Sequence, residues 1–86
     1  MTAHTKCNCA EVAFALANGC RTTRAIAAFA KMQEKSVERC IEYLDALGIP
    51  IGLRREACDH PKRIYYQFAY ELKCSYALVA LTLDGR

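Results

Sequence analysis

Thr22–Leu47, TTRAIAAFAKMQEKSVERCIEYLDAL, is the stretch on which the rest of the chain is organised. Its apolar residues recur at helical spacing in two runs, with a tight corner between them at about Gln33 to Ser36. Ile26, Ala27 and Ala30 share one face of the first run. Val37, Cys40, Ile41, Leu44 and Leu47 share one face of the second. Ala27 is small enough to let two helices cross closely, and Met32 is placed to plug the corner. Thr22 is the expected N-cap of the first helix, which runs to about Lys31. The second helix begins near Glu34 and runs to about Leu47, where Gly48 caps it. Ile49-Pro50 then turns the chain to extended structure.

Upstream, Val12, Ala13, Leu16 and Ala17 form the buried stripe of an earlier helix. Asn8 followed by Glu11 reads as its capping pair, which leaves Met1 to Lys6 as an unfixed tail. Asn18-Gly19 ends that helix, and Cys20-Arg21 is a candidate short strand. Downstream, Ile51 to Glu56 reads as one strand and Ala57 to Pro61 as a turn. From Lys62 to Tyr70, Ile64, Tyr66, Phe68 and Tyr70 alternate with Arg63, Tyr65, Gln67 and Ala69, the pattern of a half-buried strand. The segment from Glu71 to Leu83 fits a helix through Leu72, Tyr76, Val79, Ala80 and Leu83. It fits a strand equally well through Tyr76, Leu78, Ala80 and Thr82. In either form it is too apolar to lie bare, so it completes the core against the first helix or joins a second subunit, and a dimer contact through 71–83 is the favoured expectation.

The order of helix, helix, corner, helix and basic hairpin from Val12 to Phe68 resembles winged helix-turn-helix DNA-binding proteins. That resemblance implies an α+β winged-helix domain over residues 1–86. Helices 1–3 would occupy 8–47 and the wing hairpin 51–70, with 71–83 as an apolar C-terminal extension. One position departs from the pattern: the corner often carries a glycine, and here Lys31 stands in its place. The resemblance implies a sequence-specific transcriptional regulator on duplex DNA, with helix 34–47 in the major groove and wing residues 54–63 on the backbone. A homodimer is expected, because a chain of 86 residues buries only about 60–65% of its unfolded surface. The size, without an effector domain, resembles regulators carried by phages, plasmids and other mobile elements.

With Val37 facing inward, Lys35, Glu38, Arg39, Glu42 and Ala46 fall on the outer face of the second helix of the pair. Gln33 and Ser36 sit at its entrance. Gln33, Lys35, Ser36 and Arg39 are therefore the candidate base contacts, since Gln pairs with adenine and Arg or Lys with guanine. Arg54, Arg55, Lys62 and Arg63, with His60, are the wing's candidates for phosphate contact, and Thr22 or Arg21 adds one at a helix start. Charge on the helix opposes this reading. Lys35 and Arg39 stand against Glu34, Glu38, Glu42 and Asp45, although Lys35–Glu38 and Arg39–Glu42 are spaced to pair. The alternative is a protein-interaction module or phage-type inhibitor, whose acidic helix face and apolar tail dock a host nucleic-acid-binding complex.

Net charge is +3, too small to announce nucleic acid by itself. Six cysteines in 86 residues raise a disulfide scaffold, but the N-terminus is too polar for a secretory signal, and a cytoplasmic location is expected. No apolar run reaches membrane-spanning length. His4, Cys7 and Cys9 form one cluster and Cys58 with His60 another, yet Cys7-Asn8-Cys9 is too tight for a zinc knuckle, so no metal or other cofactor is expected. Neither histidine has a nucleophile's neighbourhood and there is no glycine-rich phosphate loop, so an enzyme is not expected. Tyr65, Tyr66, Phe68, Tyr70 and Tyr76 could stack on single-stranded bases, but alternating aromatics on a strand more often serve as core and cover.

Overall fold

The computed structural model describes residues 3–60 and 63–84, with backbone alone for those within 58–67. The order is α1 (Ala3–Ala17), α2 (Thr23–Ala30), α3 (Glu34–Ala46), β1 (Ile51–His60), β2 (Arg63–Leu72) and α4 (Tyr76–Asp84). It is a small α+β domain of four helices and one antiparallel hairpin.

Helix ends follow local chemistry. Thr22 accepts from the Ala25 backbone N–H at 3.1 Å, satisfying one of the four unpaired donors at the start of α2. Lys31 then adopts the left-handed conformation (φ 56, ψ 49), and the Met32 N–H reaches back to the Ala27 carbonyl at 3.0 Å. A lysine thus takes the place a glycine usually fills, and the corner closes around half-buried Met32. After α3, Gly48 has φ 87, and the N–H groups of Gly48 and Ile49 bond the carbonyls of Asp45 and Leu44. Gly19 and Cys20 close α1 in the same way on Leu16 and Ala15.

Three expectations are corrected. First, α1 begins at Ala3, so Asn8 does not cap it and residues 3–6 are helical. Asn8 instead lies within hydrogen-bond distance of the His4 ring, one turn back. An interior Asn costs the helix only about 0.5 kcal/mol, and starting early extends the stripe by Cys9, which is fully buried with Val12, Ala13 and Leu16. Ala17 is exposed, while Ala15 is buried. Second, Ala57–His60 belong to β1 rather than to a turn; Pro61 and Lys62 lie outside the described residues. Third, Cys20-Arg21 is not a strand. Its link to the hairpin is a backbone bond from the Tyr70 N–H to the Arg21 carbonyl.

The ambiguous tail divides. Glu71 and Leu72 finish β2, the chain bends at Cys74, and Ser75 starts a helix by accepting the Leu78 N–H on its hydroxyl at 3.3 Å. α4 packs on α1 and drives Val79 and Leu83 into the core, so this segment does complete the core. Its outer residues Leu78 and Leu81 stay exposed.

One cluster unites the helices: Cys9, Val12 and Leu16 of α1, Ile26 of α2, Val37 and Leu44 of α3, and Val79 of α4. Among the described residues the hairpin joins at its base, through Ile51, Tyr70 and Leu72. The molecule measures 48 × 22 × 20 Å. Among the described residues no helix is long and apolar enough to cross a membrane.

Candidate nucleic-acid interface

α3 is amphipathic, and its buried line of Val37, Cys40, Ile41 and Leu44 fixes what points away. Lys35 and Arg39, four residues apart, lie on the crest opposite that line, with Gln33 exposed at the entrance and Ser36 half-buried beside it. Among the described residues neither Lys35 nor Arg39 makes an ion pair, so the pairs with Glu38 and Glu42 that their spacing allows do not form. This fits the small value of exposed pairs, which barely offsets the cost of fixing two long side chains. Glu34 accepts a hydrogen bond from the Thr23 hydroxyl at 3.4 Å, tying the start of α3 to the start of α2.

The hairpin register separates the two wing arginines. Arg54 lies opposite Ala69 and Arg55 opposite Phe68. Successive strand residues point to opposite faces. Ile51 and Leu53, on the face of Arg55, line a groove against α3. Arg54 is on the other face, around a hollow shared with Arg21 and Lys73. Arg55 therefore sits on the α3 side and Arg54 on the far side, although both are exposed. Arg21 is committed elsewhere. Its guanidinium pairs with Glu56, which clasps the lead into α2 against β1. Thr22 spends its hydroxyl oxygen on its cap. Lys62 lies outside the described residues, as do the side chains of Arg63 and His60; Arg63 pairs with His60 by backbone.

Between α3 and the hairpin runs a groove of about 430 Å³. Its apolar lining includes Ile41, Leu53 and Phe68, and Glu38, Glu42 and Asp45 stand along its helix wall. Leu53 and Phe68 are 61% and 55% exposed, so the alternating strand turns part of its aromatic face to solvent. Ala69, on the opposite face, is the buried residue. Burial, with a smaller part from the negative charges of Glu38 and Glu42, raises the Tyr70 phenol above its ordinary range.

The cysteines divide by depth. Cys9 and Cys40 meet between α1 and α3, both buried, and the Cys9 thiol lies 3.9 Å from the Cys40 carbonyl oxygen. A hydrogen bond to the Cys40 side chain and then burial push the Cys9 thiol upward, so it stays protonated. Cys7 and His4, three residues apart on α1, are exposed while Cys9 is buried, so the three do not share one face. Among the described residues no three metal-binding side chains gather at one point. The side chains of Cys58 and His60 lie outside the description.

Comparison of the chain with protein-family models, with curated proteins and with solved structures gave no match.

Two features were not anticipated from sequence. One is the groove. The other is an aromatic cluster in which Phe14 of α1 meets Phe29 of α2 at 6.0 Å between ring centroids and Tyr76 of α4 at 5.4 Å. Phe14 falls outside the main stripe of α1, and only the docking of α2 and α4 brings its neighbours to it. With Leu78 and Leu81 these rings leave an apolar surface around α4.

Proposed function

We propose that this chain is a winged-helix module that binds duplex DNA as a transcriptional regulator. α3 enters the major groove and the hairpin rests on the flanking backbone. The observation that carries the reading is the exposed couple Lys35 and Arg39 on the crest of α3, one turn beyond the Lys31 corner and in no ion pair among the described residues. In a helix-turn-helix the N-terminal part of the second helix reaches base edges. Here that part holds Gln33, Lys35, Ser36 and Arg39. The acidic residues are unevenly placed around it. Glu38 and Asp45 lie on the flank toward the hairpin, and Glu42 borders both flank and crest. Lys35 and Arg39 can therefore approach DNA ahead of most of the carboxylates. A second copy completes the regulator through the apolar surface of α4, which leaves Leu81 70% exposed.

The test is an anisotropy titration against random duplex at several salt concentrations. With about four cations on phosphates, the logarithm of affinity falls with the logarithm of salt at a slope of roughly −3 to −4. Lys35→Ala and Arg39→Ala relax sequence preference, each by about 1–3 kcal/mol. Arg55→Ala weakens binding to all sequences alike, and Arg54→Ala weakens it less, because the register turns Arg54 away from α3. Absence of binding at low salt refutes the reading.

A second reading rests on the groove itself. The acidic wall of α3 and the apolar hairpin face suit a protein-interaction module.

A further inference from the structure

We propose that the groove between α3 and the hairpin is a docking site for a basic amphipathic helix of a partner protein. The inference rests on the protein-interaction reading above, not on DNA binding. Glu38, Glu42 and Asp45 follow one another at helical spacings of four and three along the same wall. Over those seven residue steps the row is about 10 Å long, roughly two turns. Among the described residues none of the three is in an ion pair. Facing the row, Leu53 and Phe68 hold more than half of their surface in water, further along the hairpin face whose base, Ile51, Tyr70 and Leu72, packs on the core.

An apolar floor beside a row of carboxylates selects its occupant by charge. Phosphates are repelled. A helix with an apolar stripe fits if its stripe lies on Leu53 and Phe68 and if Lys or Arg at three- and four-residue spacing faces α3. The chain's own other helices do not meet that description. α1 carries Lys6 as its sole Lys or Arg, α2 carries Arg24 alone, and α4 carries none. α3 carries Lys35 and Arg39 four residues apart, but its apolar stripe of Val37, Cys40, Ile41 and Leu44 is buried in its own core, so a second copy offers no complementary helix and the occupant is a different protein.

The probe is a fluorescein-labelled 15-residue peptide with leucines on one helical face and lysines on its flanks. A companion peptide has every lysine replaced by glutamate. Anisotropy is read on the full chain at low and physiological salt, and amide shifts are mapped by NMR. Expected are binding of the lysine peptide, at least tenfold weaker binding of the glutamate peptide, and shifts centred on residues 38–45, 51–53 and 68–70. Glu38→Gln/Glu42→Gln/Asp45→Asn weakens binding about tenfold, as does Leu53→Ser/Phe68→Ser. All five positions are exposed, so both variants keep the native circular dichroism. Random-duplex affinity of the triple variant is unchanged or higher, which separates failure here from failure of the DNA reading. Equal binding of the two peptides, indifference to both variants, or shifts confined to α4 overturns the proposal.

Discussion

Replacing Lys31 by glycine should make the protein more stable. Lys31 is the sole non-glycine with positive φ among the described residues, and it stands at the corner between α2 and α3. Holding an L-residue in the left-handed region costs about 1–2 kcal/mol. Glycine relieves that cost but gains conformational freedom in the unfolded chain, which takes back about 0.5–1 kcal/mol. The side chain of Lys31 is exposed, so little packing is lost. The net expectation is a gain of roughly 0.5–1 kcal/mol, or about 3–6 °C in Tm for a domain of this length. Lys31→Val supplies the opposite sign, because a β-branched side chain tolerates positive φ less well than lysine, and it should lower stability by about 1 kcal/mol. Urea unfolding followed by circular dichroism, with unchanged m-value, measures both. If Lys31→Gly destabilises the protein by the ordinary cost of a surface glycine, the corner is not left-handed. The placement of Lys35 and Arg39 one turn later then loses its basis.

Other consequences are as direct. Thr22→Ala removes the α2 cap and should cost about 1 kcal/mol in urea unfolding, with Thr22→Ser near neutral. Leu83→Ala should cost about 2–4 kcal/mol if α4 completes the core, whereas Leu81→Ser should leave stability unchanged and abolish self-association in sedimentation. The Cys9 thiol is pushed up in the folded state, so above the ordinary thiol range the unfolded chain releases a proton that the fold retains. The same contact lowers Cys40, whose linkage runs the other way, so the two oppose each other; Cys9→Ala removes both shifts and should leave a shallow dependence of urea stability on pH between about 8 and 9.5.

Much of the architecture can be read along the chain because the forces that set it act within a few residues. Ile26 and Ala27, then Val37, Cys40, Ile41 and Leu44, repeat at helical spacing and are all buried. Thr22 and Gly48 end helices through their own side chain or lack of one. The same geometry places Lys35 and Arg39 outward once Val37 is inward. Asn8 misled because its capping preference competes with a stripe that continues through Cys9, and burial outweighs a local preference of about 1 kcal/mol. The strand-or-helix ambiguity after Glu71 ends at Ser75, a cap whose influence shows only when the following helix has a surface to pack on.

What the chain alone determined is its succession of helices and hairpin, with the two basic residues of α3 turned away from the core. Periodicity and capping are properties of neighbouring residues, and neighbouring residues are what a sequence lists. Tertiary structure decided the rest: which hairpin face meets α3, and hence that Arg55 joins the helix side while Arg54 joins Arg21. It also set Glu38, Glu42 and Asp45 across from Leu53 and Phe68, and brought Phe14, Phe29 and Tyr76 together from three helices. Those arrangements arise between segments distant in the chain, where the pairing of strands and the packing of helices, rather than any local preference, select which surfaces meet.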